Sequence, residues 1–119
     1  MVINETDIEA FKYYNSQDMD DYQNRAAETA IYSSKHAVIY PALGLAAEAG
    51  EVANKVKKIL RDGDFDRKAI ADEIGDCLWY IAALCRDLNV SMNDVAKTNL
   101  SKLQDRQKRG VISGSGDNR

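Results

Sequence analysis

Apolar and small residues recur along most of this chain at intervals of three and four, the spacing that gathers side chains on one face of an α-helix. Met19, Tyr22, Gln23, Ala26, Ala30 and Ile31 fall on one such face, with Asp18 or Ser16 where an N-cap belongs. Leu45, Val52, Val56 and Ile59 form a second stripe. Its helix starts near Pro41, whose fixed φ suits a first turn, and runs to about Arg61. Asp62-Gly63-Asp64 stops it, and Asp64 or Asp66 caps a third helix running from Arg67 to about Leu88. Ile70, Ile74, Cys77, Ile81 and Leu84 are the third stripe. Asn89 reads as a C-cap and Ser91 as an N-cap, with Asp94 where a capping box usually has Glu or Gln. The fourth helix carries Ala96, Leu100 and Leu103 on one side and ends near Arg109.

The remaining segments punctuate these helices. Ile8 and Phe11 suggest a short turn or helix over residues 5–15. Residues 33–40 read as a connection, because the β-like run Ala37-Val38-Ile39-Tyr40 is short and stops at Pro41. Both stretches are short and neither opens a sheet. The expected fold is therefore all-α, an antiparallel four-helix bundle. It divides into an N-terminal extension (1–18), a helical domain (19–109) and a flexible Gly/Ser-rich tail (110–119). At 119 residues this is one domain, and its thin core points to an oligomer.

Composition narrows the function more than the fold. With 16 Lys+Arg against 19 Asp+Glu, the net charge of −3 argues against a surface for duplex nucleic acid. It leaves room for a small anion held through metal ions. Residues 1–15 lack the apolar run of a signal peptide, and no stretch reaches the ~18 apolar residues of a membrane span. Cys77 and Cys85 share one helix about 12 Å apart, too far to bridge. They read as thiols in a reducing compartment, and the expected location is the cytoplasm.

The chemistry lies in a near-repeat. Ala47-Glu48-Ala49-Gly50-Glu51-Val52 on the second helix parallels Asp72-Glu73-Ile74-Gly75-Asp76-Cys77 on the third. Each sets two carboxylates three apart on one face, flanking an apolar stripe. Packed together, the two helices gather four like charges, which must protonate or enclose a cation. An all-oxygen set free of His suits Mg²⁺ or Mn²⁺. Gly50 and Gly75, unfavourable in a helix interior, suggest close approach of another backbone. Lys55 and Lys58 follow on the flank of Glu51, and Asn99, Lys102 and Arg106 line one side of the fourth helix. Such a row of donors facing metal-bound carboxylates suits a polyphosphate.

Glu-x-x-Glu, then Glu-x-x-Asp some twenty residues on, then Asn-x-x-Lys on a last helix, resembles the MazG-type all-α nucleoside triphosphate pyrophosphohydrolases. The likeness spans about Tyr22 to Arg119 and is to the small single-domain members, often phage or bacterial. It implies that Glu48, Glu51, Glu73 and Asp76 hold Mg²⁺ and that Glu48 or Glu51 orients or deprotonates the attacking water. Lys55, Lys58, Asn99, Lys102 and Arg106 are the implied phosphate contacts. The implied reaction is water attack at the α-phosphorus of a (deoxy)nucleoside triphosphate, giving the monophosphate and pyrophosphate in a homodimer or tetramer. A phosphoribosyl-ATP pyrophosphohydrolase and a non-catalytic nucleotide-binding module are the alternatives. A di-iron bundle lacks its Glu-x-x-His ligands here.

Weaker signals surround this centre. Tyr22 and Gln23 line a base pocket by resemblance or simply pack. Tyr80 meets a metal ligand or the base, or packs at the core edge. Trp79, opposite its helix's stripe, reads as an interface residue or a base-stacking one. His36 is a surface residue. Asp62, Asp64 and Asp66 imitate a calcium loop, but Arg67 occupies its glycine position. The tail is a free end by composition; by resemblance it folds over the site and offers Arg119 to phosphate.

Overall fold

The computed structural model describes residues 18–119, in which every regular element is helical. Helix α1 is Met19–Ala27, α2 Ile39–Asp62, α3 Arg67–Asp87 and α4 Met92–Lys108, with a 3₁₀ turn at Ser34–His36. The expected turn or helix over 5–15 lies outside the described residues.

Side-chain caps set the helix starts. Asp18 accepts from the amide of Asp21 at 2.8 Å, Asp66 from Ala69 at 3.0 Å and Ser91 from Asp94 at 3.1 Å. Left-handed residues set the ends: Gly63 (φ 76°), Asn89 (φ 56°) and Gly110 (φ 70°). At Asn89 and Gly110 the next amide reaches back to Cys85 and Arg106, each at 2.9 Å, closing Schellman motifs. Helix α1 ends earlier than its spacing suggests. Thr29 turns its hydroxyl onto the Ala26 carbonyl at 2.8 Å, the last turn tightens, and Ile31 is left 97% exposed.

Helices α2 and α3 pack antiparallel along their length, as the pairings 38 with 87 and 44 with 80 require. Helix α1 lies on α3, and α4 packs on α1. The core is correspondingly small: Ala26, Ala82, Cys85 and Met92, with Tyr22, Trp79 and Ile81 against them. Two expectations change here. Helix α3 is wedged between two neighbours, so its buried arc is wider than the Ile70–Leu84 stripe and rotated from it. Ile74 is 55% exposed, whereas Trp79 packs on the core and donates Nε1–H to Thr29 at 2.7 Å within its own chain.

The close approach of α2 to α3 also falls elsewhere than expected. A Cβ on Gly50 or Gly75 would meet nothing within 4 Å, because both face away from the helix contact. Gly44 is the close point, its Cα lying under the Tyr80 ring where a Cβ has no room. Gly44→Ala is expected to lose about 1–2 kcal/mol in chemical denaturation, overpacking outweighing the gain in helix propensity. In Gly44→Ala/Tyr80→Ala the loss is less than additive.

Candidate metal centre

The antiparallel register of α2 and α3 sets Glu48 opposite Glu73 and Asp76. One oxygen from each lies within 4.8 Å of the others. The i, i+3 spacing aims Glu73 and Asp76 the same way, and the α2–α3 turn at 63–66 fixes which turn of α2 faces them. Glu48 and Glu73 are half-buried and Asp76 is exposed. Among the described residues no ion pair takes up any of the three. Desolvation, a hydrogen bond shared with Glu73, and the charges of Asp76, Glu73 and Glu51 all hold the Glu48 carboxyl above the ordinary glutamate value. Three acid groups this close, with no cation beside them, form a set of hard oxygen donors that fits Mg²⁺.

Tyrosines border the cluster. Burial and the Asp76 charge raise the Tyr22 hydroxyl. Tyr80 is raised by burial, a hydrogen bond with Tyr40 and the charges of Glu48 and Asp76. Its ring sits 6.3 Å from that of Tyr40 and edge-on to Trp79 at 5.0 Å. Tyr22 also lines an open cleft of 810 Å³ between α1 and α4, together with Leu78, Met92, Ala96 and Leu100.

Residues 40–111, more than half of the chain, match the MazG nucleotide pyrophosphohydrolase domain. The chain belongs to the MazG nucleotide pyrophosphohydrolase family. It is 48% identical over 112 residues to the gene 37 protein of Mycobacterium phage L5, a match covering 85% of this chain and 98% of that protein. No solved structure matches it. Every carboxylate of the cluster lies inside the MazG match, as do Asn99, Lys102 and Arg106. Residues 112–119 lie beyond it.

Within one chain this MazG domain does not gather every residue singled out from the sequence. Glu51 is exposed one turn along α2, close enough for its charge to raise Glu48 but outside the trio. Lys55 and Lys58 line a recess of 220 Å³ with Asp62, Asp64 and Asp66 at the α2–α3 turn. Asn99 and Lys102 line a separate 580 Å³ cleft with Asn89, Val90 and Thr98. Helix α4 packs on α1, and none of Glu48, Glu73 and Asp76 lines this cleft. Gln23 is engaged at both ends of its amide, donating to the Val90 carbonyl at 2.9 Å and accepting from the Met92 amide at 2.8 Å. Arg106 is buried beneath the C-terminal segment, and Arg119 is folded into that segment.

Several supporting residues escaped the sequence reading. Asp20 accepts from the Ser91 hydroxyl at 2.7 Å and the Asn93 amide at 3.1 Å, contacts that hold its carboxyl below the ordinary value. It thereby caps the start of α4 from another helix. Asp87 joins Tyr32, Val38 and Arg86. A carboxylate in the last turn of a helix opposes the macrodipole, and that misplacement was the available signal of a tertiary partner.

Proposed function

We propose that this MazG domain hydrolyses nucleoside triphosphates, ribo or deoxy, to the monophosphate and pyrophosphate. The observation that carries the reading is the unpaired trio Glu48, Glu73 and Asp76, with Glu51 one turn away. These four residues would hold the metal, Mg²⁺ or in its place Mn²⁺. When bound, the ion supplies Lewis-acid stabilisation of the phosphate charge.

The chain's own side chains do the rest. Glu51, left outside the trio, orients the attacking water and accepts its proton, with Glu48 as the other candidate. The oxygen of that water forms the new bond to the α-phosphorus, and the bond to the pyrophosphate oxygen breaks. Lys55 and Lys58, on the same helix, offer ammonium donors to the phosphates. Asn99 and Lys102 approach from a second copy of the chain, because the cleft they line holds none of the three carboxylates of their own chain. The exposed Leu43, Leu60, Ile74, Leu78 and Leu100 are the apolar surface that a homodimer or tetramer would cover. Tyr22 and its cleft, one side chain from Asp76, receive the base.

Purified protein incubated with Mg²⁺ and each common triphosphate, with products followed by phosphorus NMR, tests this reading. Pyrophosphate with no orthophosphate is expected for at least one nucleotide. Orthophosphate alone, or no turnover on any of them, overturns it. Light scattering is expected to give a dimer or tetramer, and a monomer at assay concentration overturns the shared site.

A further inference from the structure

Gly44 stands four residues before Glu48 on α2, and Tyr80 stands four after Asp76 on α3. In an antiparallel pair these two offsets run the same way. Gly44 therefore meets Tyr80 one helical turn, about 6 Å, from the level where Glu48 meets Asp76. The contact is backbone against ring. A Cβ on Gly44 would overlap Cε1, Cζ and Cδ1 of Tyr80, so α2 stands off α3 there by the bulk of that ring. The glycines beside the carboxylates, Gly50 and Gly75, make no such contact.

The ring has little freedom to yield. Trp79 meets it edge-on at 5.0 Å, and Tyr40 lies tilted against it at 6.3 Å. Tyr40 is in turn stacked on Tyr32 at 4.7 Å, and the Tyr32 hydroxyl is tied to Asp87. Separation at this level matters to the centre because its donors come from both helices: Glu48 from α2, Glu73 and Asp76 from α3. Mg²⁺ demands near-octahedral oxygens at about 2.0–2.1 Å, whereas Ca²⁺ accepts about 2.3–2.6 Å and irregular geometry. A shift of about half an ångström between the helices is thus enough to favour one ion over the other.

We propose that Tyr80, wedged against Gly44 with Tyr40 beside it, is a positioning residue that fixes the separation of α2 and α3 at Glu48 and Asp76 and so tunes the centre to a small divalent cation rather than a larger one. The inference rests on the metal reading above and adds the class of cation that the centre admits. The role requires the ring of Tyr80 and not its hydroxyl.

Calorimetric titration of the full chain with MgCl₂ and, separately, with CaCl₂, in the absence of nucleotide, tests it. Gly44→Ala pushes the helices apart and is expected to lower the ratio of Mg²⁺ to Ca²⁺ affinity at least about tenfold. Tyr80→Leu loosens the gap without overpacking it and is expected to lower the ratio in the same direction. Tyr80→Phe keeps the ring and should hold the ratio within about twofold of wild type. An unchanged ratio in Tyr80→Leu overturns the wedge whether or not Gly44→Ala folds. A ratio as low in Tyr80→Phe as in Tyr80→Leu also overturns it, because the hydroxyl would then be the group that matters. Wild type that binds neither cation overturns the metal reading and this inference with it. Wild type that binds Mg²⁺ while the variants keep its ratio overturns the wedge alone.

Discussion

Asp76→Asn is expected to lower pyrophosphate release at least about a hundredfold at limiting Mg²⁺ while leaving the thermal midpoint of the metal-free protein unchanged or raised. Charge is the reason. Asp76 is exposed, unpaired and close to two other carboxylates, so it contributes repulsion to the metal-free fold rather than support. A structural acid behaves oppositely and loses stability when neutralised. Raising Mg²⁺ should recover part of the rate, because asparagine still offers an oxygen and the lost charge weakens binding of the ion. Glu51→Gln should differ: the acceptor for the water's proton is lost whatever the Mg²⁺ concentration, so the rate stays down by about 10²–10⁴ even when the ion is saturating. Rates measured across a Mg²⁺ series separate the two. If Asp76→Asn destabilises the metal-free protein by more than it slows the reaction, the carboxylate belongs to the fold and not to the centre.

The helices were legible because their signals are local. Asp66, Gly63, Asn89 and Ser91 act within a few residues of themselves, and all four terminate or start helices in the structure. The paired carboxylates were legible for the same reason, each pair being an i, i+3 relation on one helix. What a single strand of sequence does not carry is the rotation of one helix against another. Gly50 and Gly75 attracted notice through their repeat, yet Gly44 is the residue that a neighbouring ring covers. Ile74 and Trp79 exchanged expected places because α3 has two neighbours, so no single stripe describes it. Lys102 and Glu48 are likewise matched in chemistry but not joined within one chain, since α4 packs on α1.

Asp87→Asn is expected to destabilise the protein by about 2–3 kcal/mol at neutral pH, the largest loss from any single polar change outside the centre. Its side chain is 6% exposed, and Oδ2 accepts from the Tyr32 hydroxyl at 2.7 Å and the Val38 amide at 2.9 Å. Oδ1 accepts from Arg86, which also donates to the Tyr32 hydroxyl at 2.8 Å and lies over its ring. Val38 has φ 69° and ψ −52°, a strained γ-turn for a β-branched residue, closed by the Ile39 amide on the Ala37 carbonyl at 2.8 Å. Asp87 therefore holds the entry of α2 in a conformation that the chain does not favour on its own. That entry sets the register of α2 on α3, and with it the placing of Glu48 against Asp76. Burial alone would raise the Asp87 carboxyl, but the bonds from Val38, Tyr32 and Arg86 outweigh it and hold the value below that of an ordinary aspartate. A carboxylate depressed on folding gives stability that is whole above the unfolded value and is lost as pH falls through the folded one. The gap between wild type and Asp87→Asn in urea denaturation should thus stay constant through neutral and mildly acidic pH. It should begin to close only below about pH 4, where the unfolded state takes up the proton, and vanish once the folded state takes it up as well. A gap of the same size under those acidic conditions would mean that the loss of an acceptor oxygen, and not of the charge, is what frees the turn.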